Sequence, residues 1–176
     1  GYVMPEQETD PLIVTPISTT ATADFCAAMA MAYEFYQDVN PTFADTCLAA
    51  AKRAWNFLEE HPEFIFQDPE DITTGSYEDT SDADERYWAA AQLYRATRED
   101  TYLQALESMY TMKGLDWSTV GDYGNIAILT MPGVDVTSSI YTKAKSAVLK
   151  QADQFVKNAD NSPYHVSILA LNWGSN

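Results

Sequence analysis

The segment Ser81–Arg98, with the sequence SDADERYWAAAQLYRATR, constrains the fold more than any other part of the chain. Ser81 or Asp82 can accept hydrogen bonds from the first backbone amides of a helix, and an acidic residue follows three positions later, as a capping box requires. At positions 87–94, seven of eight residues are Ala, Leu, Trp or Tyr. Such a helix has no clean polar face, so it needs cover on nearly all sides. The segment therefore predicts a buried helix inside a larger helical body.

Five further segments have the length and the periodicity of helices, and none has the alternating pattern typical of a strand. They are residues 20–38, residues 41–60, residues 101–112 before Gly114, a short helix within 117–130, and a long helix from residue 137. The first 17 residues contain three prolines and are expected to form an extended arm. The sequence therefore predicts an all-α chain of about six helices, paired in hairpins.

The spacing of apolar residues also predicts which helix faces are buried. In the first two helical segments the predicted buried residues are Phe25, Met29, Ala32 or Tyr33, Tyr36, Phe43, Cys47, Ala51, Trp55 and Leu58.

The two cysteines fall on neighbouring helices of a predicted hairpin. Cys26 lies about 14 residues from the turn at residues 39–40, and Cys47 lies about 7 residues from it. At a rise of about 1.5 Å per residue they are offset by about 10 Å, beyond the roughly 7 Å limit for a disulfide. We therefore expect two buried free thiols.

Composition and charge limit the classes of partner. The 176 residues and the 46% hydrophobic content suit one domain with a substantial core. Twenty-six acidic residues against ten basic ones give a net charge of −16, which opposes binding to nucleic acid or to anionic membrane surfaces. No apolar run is long enough to span a membrane, and no leader sequence is recognised. A neutral polysaccharide remains compatible with this charge.

Four segments, in the same order along the chain, resemble glycoside hydrolase family 9, the inverting β-1,4-glucanases. They are STTATADFCAAMAMA from Ser18, FADTCLAAAKRAWNFLEEHP from Phe43, DERYWAAAQLYRATRED from Asp84, and NWGSN from Asn172. The resemblance implies a partial (α/α)6 toroid in which residues 1–176 form one incomplete catalytic domain. It also implies a portion of a secreted or extracellular cellulase that acts on cellulose or related β-glucans. The alternative is a non-catalytic helical module that binds carbohydrate or another protein.

No catalytic residue is assigned in this chain. An inverting glycosidase needs a carboxylic acid and a carboxylate on opposite sides of the sugar, roughly 6.5 to 9.5 Å apart. Asp82 and Glu85 are three residues apart on one helix, so they lie beside each other rather than across a substrate. The resemblance places the base in a motif upstream of this chain and the acid downstream of Asn176, so we expect the isolated chain to be inactive.

The resemblance implies that no cofactor is required, and it makes the start of the central helix a candidate calcium site. Asp84 and Glu85 match the Asp-Glu pair that holds calcium in some family members, together with oxygens from the preceding loop. Ser118 stands where those members have an Asp, although Asp116 and Asp122 are nearby. Calcium takes six to eight oxygen ligands. The alternative for these acidic residues is helix capping.

Two tryptophans are candidates for binding β-glucan or cello-oligosaccharide, because sugar rings stack on aromatic faces. Trp173, in NWGSN, occupies the position where the family places a cleft-lining Trp, and Trp117 follows a similar pattern. Packing in the core is the alternative for both. Trp55 and Trp88 lie on helical stripes and are expected in the core.

A chain that supplies about half of a ring leaves apolar helix faces at two open ends. Exposed apolar patches of that size usually bind a partner. We therefore expect self-association, or association with the rest of the catalytic domain.

Overall fold

The computed structural model describes residues 4–9, 14–67 and 79–168. This part of the chain contains six α-helices and no strand, which confirms the predicted all-α class. The helices are α1 (Thr19–Tyr36), α2 (Pro41–Glu60), α3 (Ala83–Thr97), α4 (Asp100–Ser108), α5 (Gly121–Leu129) and α6 (Ser139–Asn161). Among the described residues, no helix combines the length and the apolar character needed to cross a bilayer. Pro5–Gln7 forms a 3-10 turn, so the predicted arm is not extended at that point.

Side chains just before the helices explain where three of them begin. The Ser18 side chain accepts a hydrogen bond from the Ala21 amide at the start of α1. The Ser138 side chain likewise accepts from the Tyr141 amide at the start of α6. Asn40 accepts from the Phe43 amide, and a proline follows it at the first position of α2. These caps satisfy amides that have no partner within the helix.

The helices form three successive pairs arranged in an arc. On the inner side α3 lies between α1 and α5 and contacts both of them. On the outer side α2 packs on α1, α4 on α3, and α6 on α5. The arc leaves α1 and α2 at one end and α6 at the other, as expected for part of an (α/α)6 toroid.

The central helix α3 is covered as its sequence predicts. Ala89, Ala90, Ala91 and Leu93 are fully buried in a core shared with α1, α2, α4, α5 and α6. Since alanine side chains are small, they let α3 lie close to α1 and α5.

The predicted buried face of α1 is wrong for Phe25, whereas Met29 of the same face packs against the core. Phe25 is 47% exposed, whereas Ala23, Cys26, Ala27 and Ala30 are fully buried. The reason is that α1 packs against two helices through its small residues, which leaves Phe25, Met31 and Phe35 exposed. In α2 the prediction fails only for Phe43, which is 45% exposed; the other members of its stripe are buried.

Both cysteines are buried and free, as expected. The Cys26 thiol donates to the carbonyl oxygen of Ala51 at 3.3 Å, which ties α1 to α2. Burial raises the pKa of Cys26 to about 12, so the thiol stays protonated at neutral pH.

Helix α4 ends earlier than predicted, at Ser108 rather than near Gly114. Residues 109–120 form instead the connection to α5, which we call the Trp117 loop. Periodicity does not reveal this end, because the polar groups of the loop bind residues of α5 rather than their own helix.

Candidate functional site

The first turn of α3 carries three buried carboxylates. Asp82, Asp84 and Glu85 are 3%, 6% and 3% exposed. Asp82 stands at the N-cap position, as predicted, but its side chain caps no amide. It forms an ion pair with Arg86 instead, with Oδ2 and Nε 2.9 Å apart, and Ser81 Oγ accepts from the Ala83 amide. The predicted capping box is therefore wrong, because Arg86, one turn away, is the stronger partner for Asp82.

Asp84 connects α3 to the Trp117 loop. Its Oδ2 accepts a hydrogen bond from the backbone amide of Val120 at 2.7 Å. This contact fixes the last residue of the loop against the first turn of α3.

Glu85 lies in a negatively charged environment. Burial raises its pKa to about 9, and the charges of Asp84 and Asp79 add to the effect. Its Oε2 is buried and has no hydrogen-bond partner among the described residues. Asp24, on the facing helix α1, has a pKa raised to about 6 by burial and then by Asp84 and Asp79. The start of α3 therefore holds several carboxylates that destabilise one another when ionised.

This donor set fits a hard cation in its chemistry, since carboxylate oxygens are the ligands that calcium prefers. In the described part of the chain, however, no three His, Cys, Asp or Glu side chains converge as metal ligands. Asp116 accepts from the amides of Ser118 and Thr119, and Asp122 accepts from the Gly114 amide, so both serve the loop. The loop oxygens expected before Asp84 fall largely on residues 68–78, outside the described residues.

The two predicted sugar-binding tryptophans have different outcomes. Trp117 is 55% exposed on the loop between α4 and α5, which is compatible with the predicted role. Trp173 lies outside the described residues. Both assignments stay predictions.

Trp55 belongs to the core, as expected, where it is 5% exposed and meets the Tyr102 ring edge to face. Trp88 is only partly buried. It packs on the Tyr123 ring with centroids 4.9 Å apart, beside a cavity of about 400 Å³ between α1, α3 and α5. This aromatic pair on the inner side of the arc was not predicted, although Trp88, Gln92 and Arg95 share one helix face by their spacing.

The cavity also holds a charged pair at its edge. Arg95 Nε lies 3.0 Å from Glu34 Oε2, and Gln92 donates to the same oxygen at 2.7 Å. Arg95 also donates to the Ala127 carbonyl, so these contacts link the three inner helices. We assign no catalytic role to Glu34, Gln92 or Arg95 from these contacts.

Comparisons with known proteins agree with this architecture. The family model described as Glycosyl hydrolase family 9 matches residues 2–176. Endoglucanase D of Acetivibrio thermocellus is 32% identical over 183 residues, which cover 100% of this chain and 29% of the relative. The Xyloglucan-specific endo-beta-1,4-glucanase BoGH9A of Bacteroides ovatus is 30% identical over 182 residues, which cover 94% of this chain and 30% of the relative.

Solved structures give the same result for the fold. The structure of AaCel9A in complex with cellobiose-like isofagomine matches with a TM-score of 0.84 at 32% identity, over 95% of this chain and 32% of that one. The chain thus spans about a third of the length of these proteins. Such neighbours are (α/α)6 barrels, and the arc of three helix pairs is a part of that ring. The chain belongs to glycosyl hydrolase family 9.

Proposed function

We propose that this chain is a portion of a cellulase that hydrolyses β-1,4-glucosidic bonds in cellulose or related β-glucans with inversion. The observation that carries the proposal is the family match over residues 2–176. The substrate class is supported by one relative named as an endoglucanase, by one named as a xyloglucan-specific endo-β-1,4-glucanase, and by a neighbour in complex with a cellobiose-like compound. These matches favour the enzyme over a non-catalytic binding module.

The activity belongs to the whole protein, and the described residues supply scaffold and substrate contacts. Asp82, Asp84 and Glu85 share one helix turn and are engaged with, or buried among, neighbouring groups. They cannot flank a sugar from opposite sides at the separation that inversion requires. The isolated 176-residue chain should therefore bind cello-oligosaccharides weakly, through Trp117 and Trp173, without hydrolysing them.

The experiment is a titration and an activity assay on the purified chain. Cellohexaose should shift the NMR resonances of the Trp117 and Trp173 indoles, whereas maltohexaose, its α-1,4 counterpart, should not. Equal responses to the two sugars, or none to either, would contradict the substrate class. Release of reducing sugar that is lost in Asp84→Asn or Glu85→Gln would show that these carboxylates are catalytic. Release that survives both changes would indicate contaminating enzyme or an unrecognised acid pair.

The calcium site is proposed on the chemistry of Asp84 and Glu85. Burial, and after it the charges of Asp84 and Asp79, raise the pKa values of Glu85 and Asp24, and a divalent cation would neutralise part of that negative charge. When bound, the ion would supply electrostatic stabilisation of the helix start. In this proposal Asp84 and Glu85 provide carboxylate oxygens and take no part in proton transfer.

The ends of the arc are proposed as contact surfaces. On α1, Phe25 and Phe35 are 47% and 72% exposed; on α6, Leu149 and Val156 are 51% and 61% exposed. Helix α1 belongs to the first of the three helix pairs and α6 to the last. These residues would be covered by the remaining helices of the catalytic domain, or by a second copy of this chain.

A secreted or extracellular location is proposed on chemical grounds. Cellulose is a polymer that cannot enter the cell intact, so the enzyme that first cleaves it must act outside. The negative charge of the chain opposes a role on nucleic acid or on an anionic membrane.

A further inference from the structure

The Trp117 loop, residues 109–120, is held by side chains buried beneath it. Asn125, which is fully buried in α5, is the centre of this arrangement. Its Nδ2 donates to the Met112 carbonyl at 2.9 Å and to Asp122 Oδ1 at 2.8 Å. Its Oδ1 accepts from the Tyr87 hydroxyl of α3 at 2.8 Å. One amide side chain thus joins the start of the loop to two helices.

Asp122 binds Gly114, in the next part of the loop, through both its side chain and its backbone amide. Its Oδ2 accepts from the Gly114 amide at 3.1 Å, and its own amide donates to the Gly114 carbonyl at 3.0 Å. Asp122 is 7% exposed, so water competes little for these bonds. Gly124 makes room for the network, because a Cβ there would lie 2.7 Å from the Tyr87 ring.

The remainder of the loop is fixed by two other carboxylates. Asp84 accepts from the Val120 amide at the far end. Asp116 Oδ1 accepts from the amides of Ser118 and Thr119 at 2.9 and 3.0 Å, which closes the turn that carries Trp117. Those bonds lower the pKa of Asp116, so the turn persists at mildly acid pH.

The result is an exposed tryptophan on a loop with a fixed backbone. Trp117 is 55% exposed, yet the backbone on both sides of it is bound by buried or charged groups. When a sugar stacks on a preformed aromatic ring, the binding free energy is not reduced by the entropy lost in ordering the loop. The affinity is therefore higher than for a mobile loop.

We infer that Asp122 and Asn125 are positioning residues that hold the Trp117 loop so that Trp117 forms a ready platform for a β-glucan ring. This inference rests on the proposed function, which supplies the ligand. Neither residue has to touch the sugar. Their effect passes through the backbone at Met112 and Gly114.

The test uses the 176-residue chain labelled with ¹⁵N, and it measures two quantities. The heteronuclear NOE of the Trp117 indole reports the order of the platform without any ligand. Titration with cellohexaose reports its affinity. Asn125→Ala should lower the indole NOE and weaken cellohexaose binding about tenfold. That is the loss of affinity expected when one or two groups have to become ordered upon binding. Tyr87→Phe, which removes the hydrogen bond from the Tyr87 hydroxyl to Asn125 and keeps the ring, should have a smaller effect in the same direction.

Leu58→Ala is the matched control. Leu58 is 2% exposed in α2, which does not contact α5, so this variant loses stability without touching the loop. It should keep the wild-type NOE and affinity. If Asn125→Ala and Tyr87→Phe behave like Leu58→Ala, the network only stabilises the fold and the inference is wrong. If the NOE falls as expected but wild-type chain does not bind cellohexaose, the loop is held as described and the proposed β-glucan function fails instead.

Discussion

Arg86 offers the sharpest test of what holds the helix pairs together. Its guanidinium donates from Nη1 to the Leu58 carbonyl at 2.7 Å and from Nη2 to the His61 carbonyl at 3.1 Å. Its Nε pairs with Asp82 at 2.9 Å. One side chain therefore satisfies the carbonyl end of α2 and the acidic start of α3 together.

Replacing Arg86 with Met keeps much of the side-chain length and removes the charge. The Asp82 carboxylate, whose side chain is 4% exposed, would then be buried without a cation. Breaking a buried ion pair by removing one partner costs about 3–5 kcal/mol. The Arg86 side chain is 20% exposed, so in the variant water can solvate part of the Asp82 carboxylate in place of the guanidinium. We therefore expect a loss of unfolding free energy near the lower limit, about 3 kcal/mol. For a domain of this size such a loss lowers the melting temperature by about 6–12 °C.

Urea unfolding followed by circular dichroism measures this cost. Arg86→Met combined with Asp82→Asn should lose less than the sum of the single variants, because the double variant leaves no unpaired buried charge. Lys52→Met is the control, since it breaks the exposed pair between Lys52 and Glu99 and should cost less than about 1 kcal/mol. An Arg86→Met variant no less stable than Lys52→Met would refute the reasoning.

Three further predictions concern calcium, association and pH. Excess calcium should raise the melting temperature by mass action, and Asp84→Asn should abolish the rise; identical melting curves in calcium and in chelator would remove the proposed site. The chain should self-associate at micromolar concentration and Phe35→Glu should weaken the association, whereas a monomeric sedimentation profile of the wild type would count against it. In calcium-free buffer Asp24→Asn should stabilise the chain by about 1 kcal/mol at pH 7 and hardly at all at pH 4. With a pKa of about 6, folded Asp24 binds a proton more tightly than unfolded Asp24, so the wild-type chain loses stability as pH rises from about 4 to 6. A larger stabilisation by Asp24→Asn at pH 4 than at pH 7 would contradict this prediction.

The positions of the helices could be predicted because the signals are local. Asn40 followed by proline, and Ser138 before the long amphipathic segment, mark helix starts within a few residues. The buried face of α1 was less accessible to sequence reasoning. Its large residues suggest one face and its alanines another, and the choice depends on α2 and α3, which approach the alanine side.

At the acidic start of α3, too, contacts between residues close in sequence could be predicted and contacts between distant residues could not. Asp82 and Arg86 are four residues apart, so their pairing was open to inference from spacing. The bond from the Val120 amide to Asp84 was not, because it joins a backbone group to a side chain 36 positions away. Nor was the approach of Asp24 to Asp84, which depends on how α1 packs on α3.

Asp84 therefore has two separable roles, and a pair of variants distinguishes them. Its carboxylate is a proposed calcium ligand, and its Oδ2 also accepts from the Val120 amide. Asparagine keeps a carbonyl oxygen for that amide and loses the negative charge, so Asp84→Asn should lose the response to calcium and retain the indole NOE of Trp117. Alanine offers no acceptor, so Asp84→Ala should lose both. Equal loss of the NOE in the two variants would mean that the charge of Asp84, rather than its hydrogen bond, holds the end of the loop.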